Sequence, residues 1–147
     1  FFFQPQDGIR DPLWSRGLGD VYKRQMLEAI DLNREKVYIA NIIPWRPPAN
    51  RRPTEDEINS CLPFILKHIE IIKPSALMLL GSTATFAILR NKEGISKIRG
   101  KWVDLKINQM TIPTMPTFHP AFLLRQPGQK KHVWTDLQSL RDKIKQK

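Results

Sequence analysis

Four stretches of this chain have residue types and spacing suited to chemistry. The first is Thr117-Phe118-His119-Pro120-Ala121-Phe122-Leu123-Leu124-Arg125, which follows the β-prone run Thr111 to Pro116. In open α/β sheets, ligands bind outside the carboxyl ends of strands, so His119 stands where a catalytic group would stand. The leucine pair beside basic residues has the composition of a wedge that enters a nucleic acid. The second is Asn41, a lone amide near the end of the apolar run Val37 to Ile43, where it needs a partner. The third is Gly81-Ser82-Thr83-Ala84, small residues opening a helix, whose amides can hold a phosphate. The fourth is Pro44 to Pro53, with Trp45, Arg46, Arg51 and Arg52 among four prolines, a composition suited to backbone contacts with nucleic acid. Each has a plainer explanation: a turn histidine before proline, a capping amide, a close-packed strand–helix turn, a rigid solvated connector.

The surrounding elements alternate. Val37 to Ile43 is continuously apolar, as in a strand buried on both faces. Thr54-Glu55-Asp56-Glu57 forms a capping box. The helix it opens places Ile58, Cys61, Leu62, Ile65, Leu66, Ile69 and Ile72 on one face, with Lys73-Pro74 at its end and Pro63 inside it, expected to kink it or to mark its real first turn. Ala76 to Leu80 is a second buried strand, and Thr83 to Leu89 a helix. Trp102 to Ile107 alternates and pairs as a hairpin with the Thr111 run around Asn108-Gln109. Gln129 to Lys147 is an amphipathic helix with Val133, Trp134, Leu137, Leu140 and Ile144 inward. Strand–helix alternation predicts an α/β fold: three αβα layers with a short, mostly parallel central sheet.

A length of 147 residues predicts one domain with a true core. The net charge of +10 favours a polyanion partner. One cysteine, Cys61, excludes an internal disulfide and an all-cysteine metal site within this chain, and fits a reducing, cytoplasmic setting. Its place on an apolar helix face predicts a buried, inert thiol. No apolar run approaches the roughly 20 residues that span a bilayer. Residues 1–25 show no sustained period and resemble a translated adaptor, so they are expected to be an unstructured, non-native leader. Without their four Lys/Arg and three Asp/Glu, 20 basic and 11 acidic residues remain, a net +9.

Val37 to Asn50, the Leu80-Gly81-x-Thr-Ala turn, Ile98-Arg99-Gly100 and Thr117 to Arg125, in that order, resemble the type 4 uracil-DNA glycosylases, within the wider uracil-DNA glycosylase superfamily. The resemblance covers residues 26 to 146. It implies hydrolysis of the N-glycosidic bond of a uracil flipped out of DNA. It implies that His119 donates to the uracil oxygen where charge develops. Asn41 reads the uracil edge, Pro120 lies at the substrate, and Leu123 enters the space left by the flipped base, with Leu124 as the core member of the pair. Arg46, Arg51, Arg99, Lys101, Arg125, Gly81 and Ser82 hold the DNA backbone. The implied partner is uracil-containing DNA, single- or double-stranded, bound by a monomer.

The chain departs from that pattern twice. The family's N-terminal Gly-Glu-x-Pro-Gly motif has no match, so residues 26–147 are expected to be a partial domain lacking its first strand, weakly active or inactive alone. The family carries a [4Fe–4S] cluster on four cysteines. Here Cys61 matches one ligand and Trp45 stands at another, so no cluster, or a defective one, is expected, and no other cofactor. No histidine occupies Asn50 to Pro53, so the DNA cross-linking of some members is not expected. Two further readings are a non-catalytic nucleic-acid-binding module on the same fold and a basic RNA-binding structural protein.

Overall fold

A computed structural model of the chain describes residues 2–3, 24–32, 37–38, 40, 42 and 53–146. One five-stranded sheet organises them, in the order β2-β1-β3-β5-β4. The strands are β1 (Phe2–Phe3), β2 (Val37–Tyr38), β3 (Ala76–Leu80), β4 (Val103–Ile107) and β5 (Met110–Thr117). The helices are α1 (24–28), α2 (Glu55–Ile72), α3 (Gly81–Leu89), α4 (Ile95–Ile98), α5 (Pro120–Arg125) and α6 (Lys130–Lys145). A 3-10 turn, Pro127–Gln129, joins the last two.

Alternation along β3 builds the layers. Ala76, Met78 and Leu80 face a core shared with Leu27 of α1, Ile30 just beyond it, Leu123 of α5, and Val133, Leu137 and Leu140 of α6. Leu77 and Leu79 face the opposite core, with Ile65, Ile69 and Ile72 of α2 and Ile88 of α3. All five β3 residues are buried, as a strand covered on both faces requires. The class and the three-layer arrangement are those expected.

The sheet is more mixed than expected. Among the described residues only β3 and β5 pair in parallel, while β4–β5, β1–β2 and β1–β3 are antiparallel. Asn108, in the left-handed region at φ +53°, turns the β4–β5 hairpin at the predicted place. The expectation that residues 1–25 carry no structure also needs correction. Phe2 and Phe3 pair with Tyr38 and Val37 on one side and with Leu77 and Ala76 on the other. The edge of an apolar strand presents unpaired backbone groups, and these two residues satisfy part of it.

Local signals hold in the helices. Glu57 N–H donates to Thr54 Oγ1 at 3.2 Å and Thr54 N–H donates to Glu57 Oε1 at 3.1 Å, closing the capping box. Lys73 ends α2 at φ +52°, its N–H donating to the Ile69 carbonyl. Pro63 neither breaks nor begins α2, which runs through it for 18 residues. Its ring lies on the exposed face, where water can satisfy the carbonyl that loses its helical donor. Two expectations fail. α3 begins at Gly81 rather than Thr83. Trp134 is 42% exposed, because Val133 and Leu137 already fill the inward arc of α6 at that level.

β5 carries Pro113 and Pro116, residues that a central strand ordinarily excludes. It tolerates them because its pairings are staggered. Residues 110–114 pair with β4 and residues 114–117 with β3, so each proline has a strand neighbour on one side only.

Candidate active site at the ends of two parallel strands

β3 and β5 run side by side and end in register, Leu80 opposite Thr117. Each then delivers one residue of the site. Gly81 leaves β3 at φ +89° and opens α3, its carbonyl accepting from Thr85 Oγ1 at 2.8 Å. His119 follows β5 by two residues and sits directly over Gly81. A Cβ built on Gly81 would lie 3.1 Å from His119 Cβ and 3.7 Å from His119 Cγ. Only glycine gives both that backbone conformation and that clearance. Sequence spacing could not show this pairing, because 38 positions separate Gly81 from His119.

His119 is exposed while its neighbours are anchored. Phe118 is buried and packs on Phe122, ring centroids 4.8 Å apart. The Phe122 N–H donates to the His119 carbonyl at 2.9 Å, so His119 caps the turn that becomes α5. Pro120 opens that helix, where its fixed φ and missing N–H are tolerated. An exposed imidazole on a fixed backbone can offer a proton or a hydrogen bond to a molecule entering from solvent.

The structure reverses the leucine pair. Leu123 is 2% exposed and packs in the α1–α6 core, whereas Leu124 is 39% exposed. Consecutive residues on a helix point about 100° apart, so only one leucine can face the core, and α5 turns Leu123 inward. Arg125, Lys101 and Ser82 are exposed, as backbone-contacting residues must be. Arg99 is not deployed that way. Its Nη2 and Nε donate to the two Asp136 carboxylate oxygens at 2.6 and 3.1 Å, and Nη2 donates to the His132 carbonyl at 3.2 Å. Asn41, Trp45, Arg46 and Arg51 lie outside the described residues.

Asp136 escaped the sequence reading. It is 1% exposed and also accepts from Thr117 Oγ1 at 2.6 Å. The available signal was its place in α6, one residue before Leu137 and three after Val133, on the buried arc. A carboxylate there must find donors.

Cys61 is 6% exposed, packed with Ile58, Ala87 and the partly buried Ile42 and Phe86. Burial, with a smaller effect of the nearby Glu57 carboxylate, pushes its thiol up from the usual range. A cluster ligand needs the opposite, a stabilised thiolate beside further soft donors. Among the described residues no group of three or more His, Cys, Asp or Glu is placed to hold a metal ion. The residues present do not fit an iron–sulfur cluster. On the α2 side of the sheet, Tyr38 Oη lies 3.0 Å from His68 Nδ1, and burial raises its phenol. No described helix is long and apolar enough to cross a membrane.

Residues 24–138 match the family model of the uracil DNA glycosylase superfamily. The chain belongs to that superfamily. It is similar to type-4 uracil-DNA glycosylases from Thermotoga maritima (38% identical, 82% of this chain and 63% of the relative) and Saccharolobus solfataricus (35%, 88% and 62%). The relative from Sulfurisphaera tokodaii is 35% identical over 84% of this chain and 58% of its own length. The chain therefore spans 58% to 63% of the length of these curated relatives. In this superfamily member, His119 and Gly81, on which the resemblance falls, stand where the two parallel strands β3 and β5 end side by side.

Proposed function

We propose that the protein carrying this chain is a DNA-repair glycosylase that hydrolyses the N-glycosidic bond of uracil flipped out of DNA. The observation that carries this reading is His119 seated on Gly81, beyond the ends of β3 and β5. Bond cleavage leaves an oxocarbenium-like sugar and a uracil anion. A donor held where that anion forms lowers the barrier more than it tightens ground-state binding. His119 is that donor, and Asn41 reads the uracil edge. Leu124, the exposed leucine, replaces Leu123 as the side chain that enters the vacated stack. Arg125, Lys101, Arg46 and Arg51 hold flanking phosphates, with the Gly81-Ser82 turn beside them. The net charge of +10 supports a nucleic-acid partner. The site needs no second copy of the chain in this reading, which takes the protein as a monomer.

The names of the type-4 relatives support the substrate. In this reading the chain alone, which has no match to the Gly-Glu-x-Pro-Gly motif, is weakly active or inactive. The test is a uracil-containing oligonucleotide assayed by alkaline strand cleavage. It is run with this chain and with the chain joined to the Gly-Glu-x-Pro-Gly segment that the resemblance implies. Product from the joined protein, lost by orders of magnitude in His119→Ala with modest loss of DNA binding, supports the proposal. A joined protein that binds uracil DNA and leaves it intact overturns it in favour of a non-catalytic binding module.

A further inference from the structure

The geometry points to Asp136 as a positioning residue that, through Thr117, Arg99 and Gly100, sets the place of His119. This inference rests on the role of His119 proposed above, but its first test does not require catalysis. β5 is followed after two residues by His119, so whatever fixes the end of β5 fixes the histidine. Two contacts do so besides the pairing with β3. The Gly100 N–H donates to the Pro116 carbonyl at 2.9 Å, and Asp136 accepts from the Thr117 hydroxyl at 2.6 Å. Arg99 holds the carboxylate in turn, with Nε and Nη2 on its two oxygens. Gly100 is drawn into the same knot: at φ +76°, a Cβ there would lie 2.7 Å from Asp136 Oδ1.

The arrangement is specific rather than merely stabilising. An ion pair as buried as Asp136 and Arg99 is poor evidence of stability, since an apolar pair of similar volume often serves as well. What it supplies is geometry. A bidentate guanidinium orients the carboxylate plane, leaving one lone pair aimed at Thr117. The knot joins α6, the residues that follow α4, and the end of β5, which leads to His119. It also accounts for Arg99 without any contact to DNA.

The test uses imidazole resonances in nuclear magnetic resonance spectra of this chain. Its three histidines are His68, His119 and His132, and His119→Gln identifies the relevant signal. Thr117→Val removes one hydrogen bond and keeps the shape, while Asp136→Asn removes the charge. Leu140→Val loosens α6 at a buried position outside the knot. The expected result is a shifted or broadened His119 signal in Thr117→Val and Asp136→Asn, with His68 unmoved and His119 unchanged in Leu140→Val. An unmoved His119 in the knot variants, or an equal change in Leu140→Val, overturns the inference. Should Asp136→Asn not fold, Thr117→Val decides. In the joined protein, Thr117→Val should slow single-turnover excision by about ten- to hundredfold with DNA affinity unchanged, the loss expected from a misplaced group. Absence of excision in the parent protein defeats the proposed function while leaving the spectroscopic result to stand.

Discussion

Replacing Gly81 by alanine tests the seat of His119 most directly. Two effects add. An L-side chain at φ +89° leaves the favoured backbone regions, at about 1–2 kcal/mol for a left-handed residue. The new methyl group would also sit 3.1 Å from His119 Cβ, so the histidine must give by a few tenths of an ångström or the turn must open. For a chain of 147 residues, a loss of about 1–2 kcal/mol lowers the melting temperature by about 2–8 °C. The displacement costs roughly tenfold in excision rate, less than the hundredfold of a full ångström. Gly128→Ala is the control, because a Cβ there meets nothing within 4 Å and its backbone is not in the left-handed region. Its stability should hold or rise by about 0.4–1 kcal/mol. Thermal melts followed by circular dichroism, with single-turnover excision in the joined protein, read both effects. Gly81→Ala melting with the parent and excising uracil at the parental rate would refute the close seat.

The leucine pair separates by stability. Leu123→Ala should cost about 2–5 kcal/mol in denaturant unfolding, whereas Leu124→Ala should stay within about 0.5 kcal/mol and instead weaken binding to uracil DNA. Salt dependence separates the cations: Arg125→Ala and Lys101→Ala should each reduce the slope of log affinity against log salt by about 1. Arg99→Ala should leave that slope unchanged while destabilising the fold by about 3–5 kcal/mol, because Asp136 is left buried and unpaired. Burial raises the Cys61 thiol, so the folded protein keeps its proton where the unfolded chain has lost it. That contribution to stability is fully present below the ordinary thiol range and is lost as pH rises through the raised value. A denaturant titration across that range should show the decline in the parent and not in Cys61→Ala.

Much of the frame was legible where a local rule decides. Thr54 and Glu57 close a capping box in any context, the five apolar residues of β3 admit a buried strand, and Asn108 suits the left-handed turn of the hairpin. His119 and Gly81 were each singled out separately, but their contact depends on the β3–β5 register, which no local pattern carries. The failures share a cause. Leu123 and Leu124 are chemically identical, and only the rotation of α5 against the core tells them apart. Arg99 has the chemistry of a phosphate ligand, and only the position of Asp136, 37 residues on, shows where that chemistry is used. Trp134 fits an apolar stripe by type, yet the arc it would fill is already occupied. The pairing of Phe2 and Phe3 was hidden because two residues are too few to show a period.

The prolines of β5 have a consequence for folding fidelity. The Pro116 carbonyl points away from β3, since Gly100 takes it, and a residue's nitrogen faces the same side as its carbonyl. In the native register the missing N–H therefore removes nothing from the β3–β5 ladder. A slip of one residue would turn β5 over, aim that nitrogen at β3, and send every side chain to the opposite face. Thr117 would lose Asp136, and the strand would end with its histidine directed into the wrong layer. Pro116 thus works as a key cut for one register, penalising the nearest misfold at the strand that carries the proposed catalytic residue.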